Sequence, residues 1–133
     1  MSKYLDDARK LHAQALKELG EWERTKDQTI LRDAAEKAWG AVVQATNEVL
    51  EAHGRRIPSG TNARRDELHA LERQDRRLNR LRLRARFADA EIVLHRNCFY
   101  DGVCSLPGVS DNVTEDVKEY LDDVTELTAP KRG

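Results

Sequence analysis

The sequence predicts an all-α fold, an antiparallel bundle of four longer helices followed by a short C-terminal helix. Apolar residues recur at intervals of three and four along most of the 133 residues, and this spacing places them on one face of a helix. Charged residues make up 35% of the chain and aromatic residues only 5%, which is typical of a thin core wrapped in charged helices. No segment has the alternating apolar pattern of a β-strand.

The first helix is predicted between Tyr4 and Trp22. Its apolar stripe consists of Leu5, Ala8, Leu11, Ala15, Leu16 and Leu19. Because Gly20 lies at the end of this stripe, we expect it to end or bend the helix.

The second helix has the widest apolar face in the sequence, which indicates a position at the centre of the bundle. One stripe comprises Ile30, Leu31, Ala34, Ala38, Ala41, Ala45 and Val49, and its neighbour comprises Trp39, Val43, Thr46 and Leu50. Gly40 costs about 1 kcal/mol of helix propensity relative to alanine, so its place among small residues predicts a close helix crossing. Gly54 resembles the glycine after a helix C-cap, and a loop is expected over 55–60.

A third helix is expected to begin at Thr61 or Asn62, because either side chain can cap free backbone amides. Its narrow apolar seam consists of Leu68, Leu71, Leu78 and Leu81. The pattern allows this helix to continue without a break into a fourth, apolar helix that stops near Asp101 and Gly102.

Residues 103–112 are predicted to form a loop. A short final helix follows, because Asn112 and Glu115 have the spacing of a capping box, and Pro130 limits its extent. We expect one helical domain over residues 1–128 and a flexible tail over 129–133.

The charge is segregated along the chain although the net charge is only −1. Residues 1–54 carry −2, residues 55–86 carry +7 and residues 87–133 carry −6. Every base in the middle segment is an arginine, and the guanidinium group suits bidentate contact with phosphate or carboxylate. The candidate RNA-binding residues are Arg73, Arg76, Arg77, Arg80, Arg82, Arg84, Arg86 and Arg96. The alternative is that these arginines pair with the acidic C-terminal third, or with its copy in a symmetric partner.

His95 is the candidate catalytic residue. It lies between Leu94 and the Phe99–Tyr100 pair, so we expect it beside buried aromatic surface. An imidazole there could exchange a proton with a ribose hydroxyl, while Arg86, Arg96 or Asn97 stabilises phosphoryl charge. The alternative is a packed, hydrogen-bonded structural histidine.

The sequence predicts neither a metal nor a cofactor. Glu91 and His95 share a helix face, but the Glu-x-x-His pairs of a carboxylate-bridged di-metal bundle do not occur. Glycine-rich phosphate loops are also absent. Cys98 and Cys104 are expected to be buried free thiols, with a redox link as the alternative. Because no apolar run approaches the roughly 20 residues of a membrane span, and the first residues lack a signal-peptide pattern, a cytoplasmic location without membrane contact is expected.

Two motifs resemble the archaeal PaREP-type proteins, which belong with the HEPN-like helical bundles. They are AAEKAWGAVVQA at residues 34–45, and Ala90 followed by LHRNCFYD at residues 94–101. The resemblance implies an antiparallel helical bundle and a homodimer. It also implies kinship with RNA-cleaving toxins of toxin–antitoxin systems, with RNA-binding or nucleotide-binding modules, and with partners of nucleotidyltransferases.

HEPN ribonucleases carry an arginine followed four to six residues later by a histidine, on a helix that faces the dimer mate. The nearest arginine upstream of His95 is Arg86, with eight residues between them. Arg64 and His69 have the required spacing but lie near the start of the third helix.

These observations favour a homodimeric HEPN-like bundle that associates with RNA or nucleotides through its arginines, with His95 lining or supporting the same cleft. One alternative is a metal-independent, toxin-like ribonuclease that uses His95. The other is a non-catalytic scaffold or partner of a nucleotidyltransferase.

Overall fold

In the computed structural model, which describes residues 2–130, every regular element is a helix. These are α1 (Lys3–Thr25), α2 (Gln28–Ala52), α3 (Thr61–Gln74), α4 (Arg76–Leu81), α5 (Leu83–Ala90), the π-helix π1 (Glu91–Tyr100), α6 (Gly108–Asp111), the π-helix π2 (Asn112–Asp116) and α7 (Val117–Leu127). π1 continues α5 directly, and α6, π2 and α7 follow one another without interruption. The predicted all-α class is therefore confirmed.

Among the described residues, no helix combines the length and the apolar character that crossing a membrane requires. Of the predicted tail, Ala129 and Pro130 are described and both are exposed. The rest of it, residues 131–133, lies outside the described residues.

Helices α1 and α2 form an antiparallel hairpin. Only Lys26 and Asp27 separate them, with Lys26 in the left-handed conformation (φ 57°) and the Asp27 side chain capping α2. Near this turn, Lys37 Nζ donates to Glu18 Oε1 across 2.6 Å. At the other end, the hydroxyl of Ser2 donates to the Glu48 carboxylate. The first contact joins late α1 to the first half of α2, and the second joins the start of α1 to late α2, which establishes the antiparallel orientation.

The two glycines of the hairpin behave differently. α1 continues through Gly20 to Thr25, so the expectation that this glycine ends the helix is wrong. Leu19 is buried and Trp22 packs against the core on either side of Gly20, which holds the segment helical despite its low propensity. At Gly40, by contrast, an added Cβ would lie 3.3 Å from Leu11 Cδ1. The predicted close crossing is confirmed there.

Helix α2 lies at the centre of the fold, as its wide apolar face predicts. It contacts α1, π1 and α7. Its alanines at positions 34, 35, 38, 41 and 45 are inaccessible to solvent, and Trp39 is only 5% exposed. The same core extends from Leu5 to Val124. Small side chains on several faces allow neighbouring helices to approach α2 closely.

The arginine-rich stretch is not one continuous helix. Asp75 is extended (φ −129°) and Arg82 is left-handed (φ 55°), and these two residues separate α3, α4 and α5. The Asp75 carboxylate accepts a hydrogen bond from the backbone N–H of Arg77, so it caps α4 instead of continuing α3. The expected capping of α3 is also wrong, because its N-cap is Gly60, which offers no side chain.

The final helical stretch begins at Gly108, earlier than predicted. Val109 and Val113 are completely buried and extend the apolar stripe of α7 by about two turns towards the N-terminus. This burial favours a helical conformation of residues 108–112. Asn112 therefore lies within the continuous helical stretch, and the predicted capping box at its start is wrong. The predicted end of the preceding helix near Asp101 and Gly102 is confirmed, because π1 ends at Tyr100 and Gly102 adopts a left-handed φ of 71°.

Candidate functional site

His95 lies on π1 in a shallow depression of about 280 Å³. The lining of this depression, here called the His95 depression, also includes Thr61, Glu91, Arg96 and Tyr100. The imidazole is one-third exposed (33%), so a bound molecule could reach it. The rings of Trp39 and Phe99 stack against it, with centroids 5.8 Å and 6.2 Å away. The aromatic surroundings predicted for this histidine are confirmed.

A carboxylate of α2 orients the imidazole. Glu36 Oε1 lies 2.8 Å from His95 Nδ1. Because an ionised carboxylate only accepts hydrogen bonds, Nδ1 carries the hydrogen, and in the neutral ring Nε2 bears the free lone pair. A base held in one tautomer by a carboxylate is the arrangement that general-base catalysis uses. The same arrangement also occurs in purely structural histidines.

The π-helical backbone brings a second carboxylate into the His95 depression. A π-helix closes its turns between residues i and i+5, so Glu91 and Arg96 lie one above the other. Arg96 Nη2 donates to Glu91 Oε1 across 2.9 Å. Glu91 is nearly buried, and its Oε2 has no hydrogen-bond partner within residues 2–130.

Two clamps hold the end of π1. Arg32 of α2 donates from Nε and Nη2 to the carbonyl oxygen of Phe99, at 3.0 and 2.7 Å. A disulfide joins Cys98 to Cys104. The prediction of free thiols is wrong, because the left-handed turn at Gly102 returns the chain until the two Cα atoms are 4.2 Å apart.

The eight candidate RNA-binding arginines divide into two groups. Four form ion pairs: Arg77 with Asp75, Arg84 with Glu72, Arg86 with Asp123, and Arg96 with Glu91. The other four are exposed and form no side-chain hydrogen bond or ion pair with any residue from 2 to 130. We call them the unpaired arginines: Arg73, Arg76, Arg80 and Arg82. Of the three of these ion pairs whose arginine lies in the basic segment 55–86, only that of Arg86 reaches the acidic C-terminal third.

The His95 depression brings together only one of these arginines and the histidine. Arg96 lines it, whereas none of the seven arginines between positions 73 and 86 does. Arg77 and Arg80 lie instead beside Asp123 and Glu126. The expectation that His95 shares a cleft with the arginine-rich stretch therefore does not match the lining residues.

In both sequence-based arginine–histidine pairs, the arginine hydrogen-bonds a residue other than the histidine. Arg86 donates to Asp123 and to the carbonyl oxygen of Leu81. Arg64 donates to Asn47 of α2, and burial lowers the pKa of its guanidinium. His69 is exposed.

Sequence reasoning missed Glu36 and Arg32 as neighbours of His95. A usable signal existed for Glu36, because this charged residue lies three positions before Trp39 and so shares a helix face with it. Arg32 gave no such signal, since its partners are backbone carbonyl groups.

Comparison with known proteins agrees with the motif resemblance. No curated protein and no solved structure matches the chain. The model of the archaeal PaREP1/PaREP8 family, however, matches residues 6–127, which include all but the first residues of the α1–α2 hairpin, the arginine-rich stretch and the His95 depression. The chain therefore belongs to the archaeal PaREP1/PaREP8 family.

Proposed function

We propose that the protein binds the phosphate backbone of RNA through its unpaired arginines. The observation that carries this proposal is that Arg73, Arg76, Arg80 and Arg82 are exposed and have no carboxylate partner within residues 2–130. An arginine already paired with a carboxylate must give up that contact before it binds phosphate, whereas an unpaired one loses only water and counterions. The segment 73–86 contains no aromatic residue, which favours backbone contact over base stacking.

The finer architecture is part of the same proposal. We propose an antiparallel, HEPN-like arrangement of the helices and a cytoplasmic homodimer. The family resemblance supports the bundle and the dimer. Disulfides are rare in cytoplasmic proteins except in those of hyperthermophilic archaea, so the Cys98–Cys104 link does not conflict with this location in an archaeal family. Light scattering or sedimentation should give twice the mass of the chain.

The test compares two variants that lose the same charge. In the first, all four unpaired arginines become glutamine. In the second, four exposed bases of α1 become glutamine, namely Lys3, Lys10, Lys17 and Arg24. Retention of mixed single-stranded RNA is measured over a range of salt concentrations. Each lost phosphate contact should reduce the slope of log K against log salt by about 0.7, so the first variant should lose up to about 3 and the control almost nothing.

If both variants lowered the salt slope equally, RNA binding would depend on net charge alone. That result would contradict a binding surface formed by the unpaired arginines. Absence of RNA retention by the unaltered protein at low salt would reject the proposal. The scaffold alternative, in which the chain is a partner of a nucleotidyltransferase, would then be favoured.

A second candidate function is metal-independent RNA cleavage at His95. The observation that favours it is the 2.8 Å contact between Glu36 and the Nδ1 atom of an imidazole that is one-third exposed. In this mechanism Nε2 takes the proton from a ribose 2′-hydroxyl, and the 2′-oxygen attacks the adjacent phosphorus while Arg96 stabilises charge on the phosphoryl oxygens. The bond from phosphorus to the 5′-oxygen breaks, and that oxygen takes a proton from the imidazolium, which leaves a 2′,3′-cyclic phosphate.

Cleavage is measured with a chelator present. His95→Gln should abolish it, and Glu36→Gln should slow it by roughly 100-fold because the tautomer is no longer held. Loss of all four unpaired arginines should weaken RNA binding but leave the cleavage of a dinucleotide unchanged. A His95→Gln variant with the original cleavage rate would remove this candidate.

A further inference from the structure

A second cleft, which shares only Arg82 with the proposed RNA-binding surface, lies between α5 and the final helical stretch. It has a volume of about 540 Å³. Its charged lining residues are Arg82, Arg86, Asp89, Asp116, Glu119 and Asp123. The four carboxylates and two guanidinium groups give this cleft, here called the acidic cleft, a net charge of −2.

The carboxylates of the acidic cleft are not equally engaged. Asp123 accepts from Arg86 Nη1 across 2.8 Å and is therefore neutralised. Asp116 and Glu119 form no side-chain hydrogen bond or ion pair to any residue in the range 2–130. The negative charge that remains in the cleft thus centres on Asp116, Glu119 and Asp89.

Asn112 supplies an independent sign that a ligand belongs here. It lines the cleft, is only 3% exposed, and its Nδ2 donates to Asp89 Oδ2 across 3.3 Å. Because the Asp89 carboxylate can only accept, this contact fixes which end of the amide is the oxygen. Asn112 Oδ1 is then a buried acceptor with no donor among the described residues. Such an unsatisfied group is costly, and a donor supplied by a ligand would remove the cost.

The electrostatics of Asp116 point the same way. Burial raises the pKa of this carboxyl, and the neighbouring charges of Asp89 and Glu119 raise it further. Like charges that repel one another in the empty cleft would be relieved by a bound cation.

We propose that the acidic cleft binds an aliphatic polyamine. The Asn112 Nδ2 and the Tyr120 hydroxyl are already engaged with Asp89 and Thr46. Apart from the paired Arg86 and the exposed Arg82, the side chains that remain to meet a ligand here are acceptors, so the ligand must be a donor. Its preferred charge is +2, which matches the net charge of the cleft. One ammonium group donates to Asp116 and Asn112 Oδ1, and the other is neutralised by Glu119.

An extended organic dication fits the acidic cleft better than a metal ion does. Within residues 2–130, no three His, Cys, Asp or Glu side chains converge closely enough to hold one metal ion. Charges distributed along a cleft are instead suited to separated ammonium groups joined by a flexible apolar chain, which can pack on Val42 and Tyr120 of the lining.

The test measures binding of 1,4-diaminobutane by calorimetry to the unaltered protein and to three variants. Asp116→Asn and Glu119→Gln should each weaken binding at least tenfold. The control is Glu115→Gln, since Glu115 is an exposed acid of π2 that does not line the cleft, and its affinity should not change. Circular dichroism verifies that each variant is folded.

Butylamine and Mg²⁺ provide further arms. Butylamine should bind at least tenfold more weakly than the diamine because it carries only one charge. Equal affinity for butylamine would indicate a site for a single ammonium group, such as a lysine of a protein partner, and would overturn the proposal. So would competition by Mg²⁺ at the concentration of the diamine, an absence of saturable binding, or an Asp116→Asn variant with unchanged affinity. None of these outcomes depends on RNA binding.

Discussion

The α1–α2 hairpin and the remainder of the fold both bury apolar side chains in one core, but they do so with helices of different length and regularity. In the hairpin, helices of 23 and 25 residues run without interruption and are joined by a two-residue turn. In the region 61–127, no purely α-helical element exceeds the 14 residues of α3, and two stretches are π-helical. Both regions contribute to one core.

The two regions also differ in how polar side chains meet the backbone. The hairpin packs alanines and one glycine against leucines, and its buried polar residues His12, Thr46, Asn47 and Glu48 lie within continuous helix. In the other region, Asp75 and Asn112 place polar groups within or beside helices, and the chain departs from regular α-helix at or next to them. Most of the residues that line the His95 depression and the acidic cleft come from this less regular region.

The largest expected effect concerns the residue that joins the two regions. Trp39 of the hairpin packs against Phe87 of α5, with ring centroids 5.1 Å apart, and against His95. Trp39→Ala should lower the free energy of unfolding by about 3–5 kcal/mol, as measured by urea denaturation. The control is Trp22→Ala, because Trp22 is only partly buried. An equal cost for the two substitutions would contradict a bridging role for Trp39.

A smaller effect is expected at the break between α3 and α4. Asp75→Ala removes the cap of α4 and the partner of both Arg77 and His53, and it should cost about 1–2 kcal/mol near neutral pH. Hydrogen bonds from Arg77 and then from His53 hold the pKa of this carboxyl well below its ordinary value of 3.8. Its electrostatic contribution is therefore complete above pH 3.8 and is lost as the pH falls towards the folded-state pKa.

Urea denaturation of both proteins at pH 7 and at pH 2.5 checks this dependence. The difference between the unaltered protein and Asp75→Ala should be smaller at the acidic pH. A difference that grows on acidification would contradict the assignment of Asp75 as an ionised cap.

The two hairpin glycines should respond differently to alanine. At Gly20 an added Cβ meets no atom within 4 Å, so Gly20→Ala should raise the free energy of unfolding by about 0.5–1 kcal/mol through helix propensity. At Gly40 the same gain is opposed by the contact with Leu11, and the net stabilisation should be smaller. Thermal denaturation of the two variants side by side measures the difference, and a larger gain at Gly40 would show that this crossing is not tight.

The smallest effect is expected at Asp116. The pKa of Asp116 is raised in the folded protein, so ionising this carboxyl costs more in the folded state than in the unfolded state. Its charge therefore begins to oppose folding as the pH rises above 3.8, the ordinary pKa. Asp116→Asn should therefore stabilise the protein at neutral pH, by less than about 1 kcal/mol since the residue is exposed to screening solvent. The gain should disappear below pH 3.8. Stabilisation together with loss of diamine binding would show that this carboxylate serves the ligand at the expense of the fold.

The sequence predicted the regular region well and the irregular region poorly, for physical reasons. The wide apolar stripe around Trp39 and Gly40 can be buried only by a helix at the centre of the bundle, and α2 lies there. Asp75 and Arg82 look like ordinary helix-surface residues in a linear pattern, and only the tertiary contacts of their neighbours reveal the breaks. His95 was identified from its aromatic neighbours, but its partner Glu36 lies 59 positions away, and no periodicity connects such distant residues.

The turn that follows His95 is secured by two bonds of different chemical character. The Cys98–Cys104 link closes a short loop, which by chain entropy contributes roughly 2 kcal/mol, and it opens in the presence of a reductant. The hydrogen bond from Arg32 to the carbonyl oxygen of Phe99 does not depend on the redox conditions. Reduction breaks the disulfide but leaves the hydrogen bonds of Arg32 in place. Tyr100, which lines the His95 depression, should therefore keep its position under both oxidising and reducing conditions.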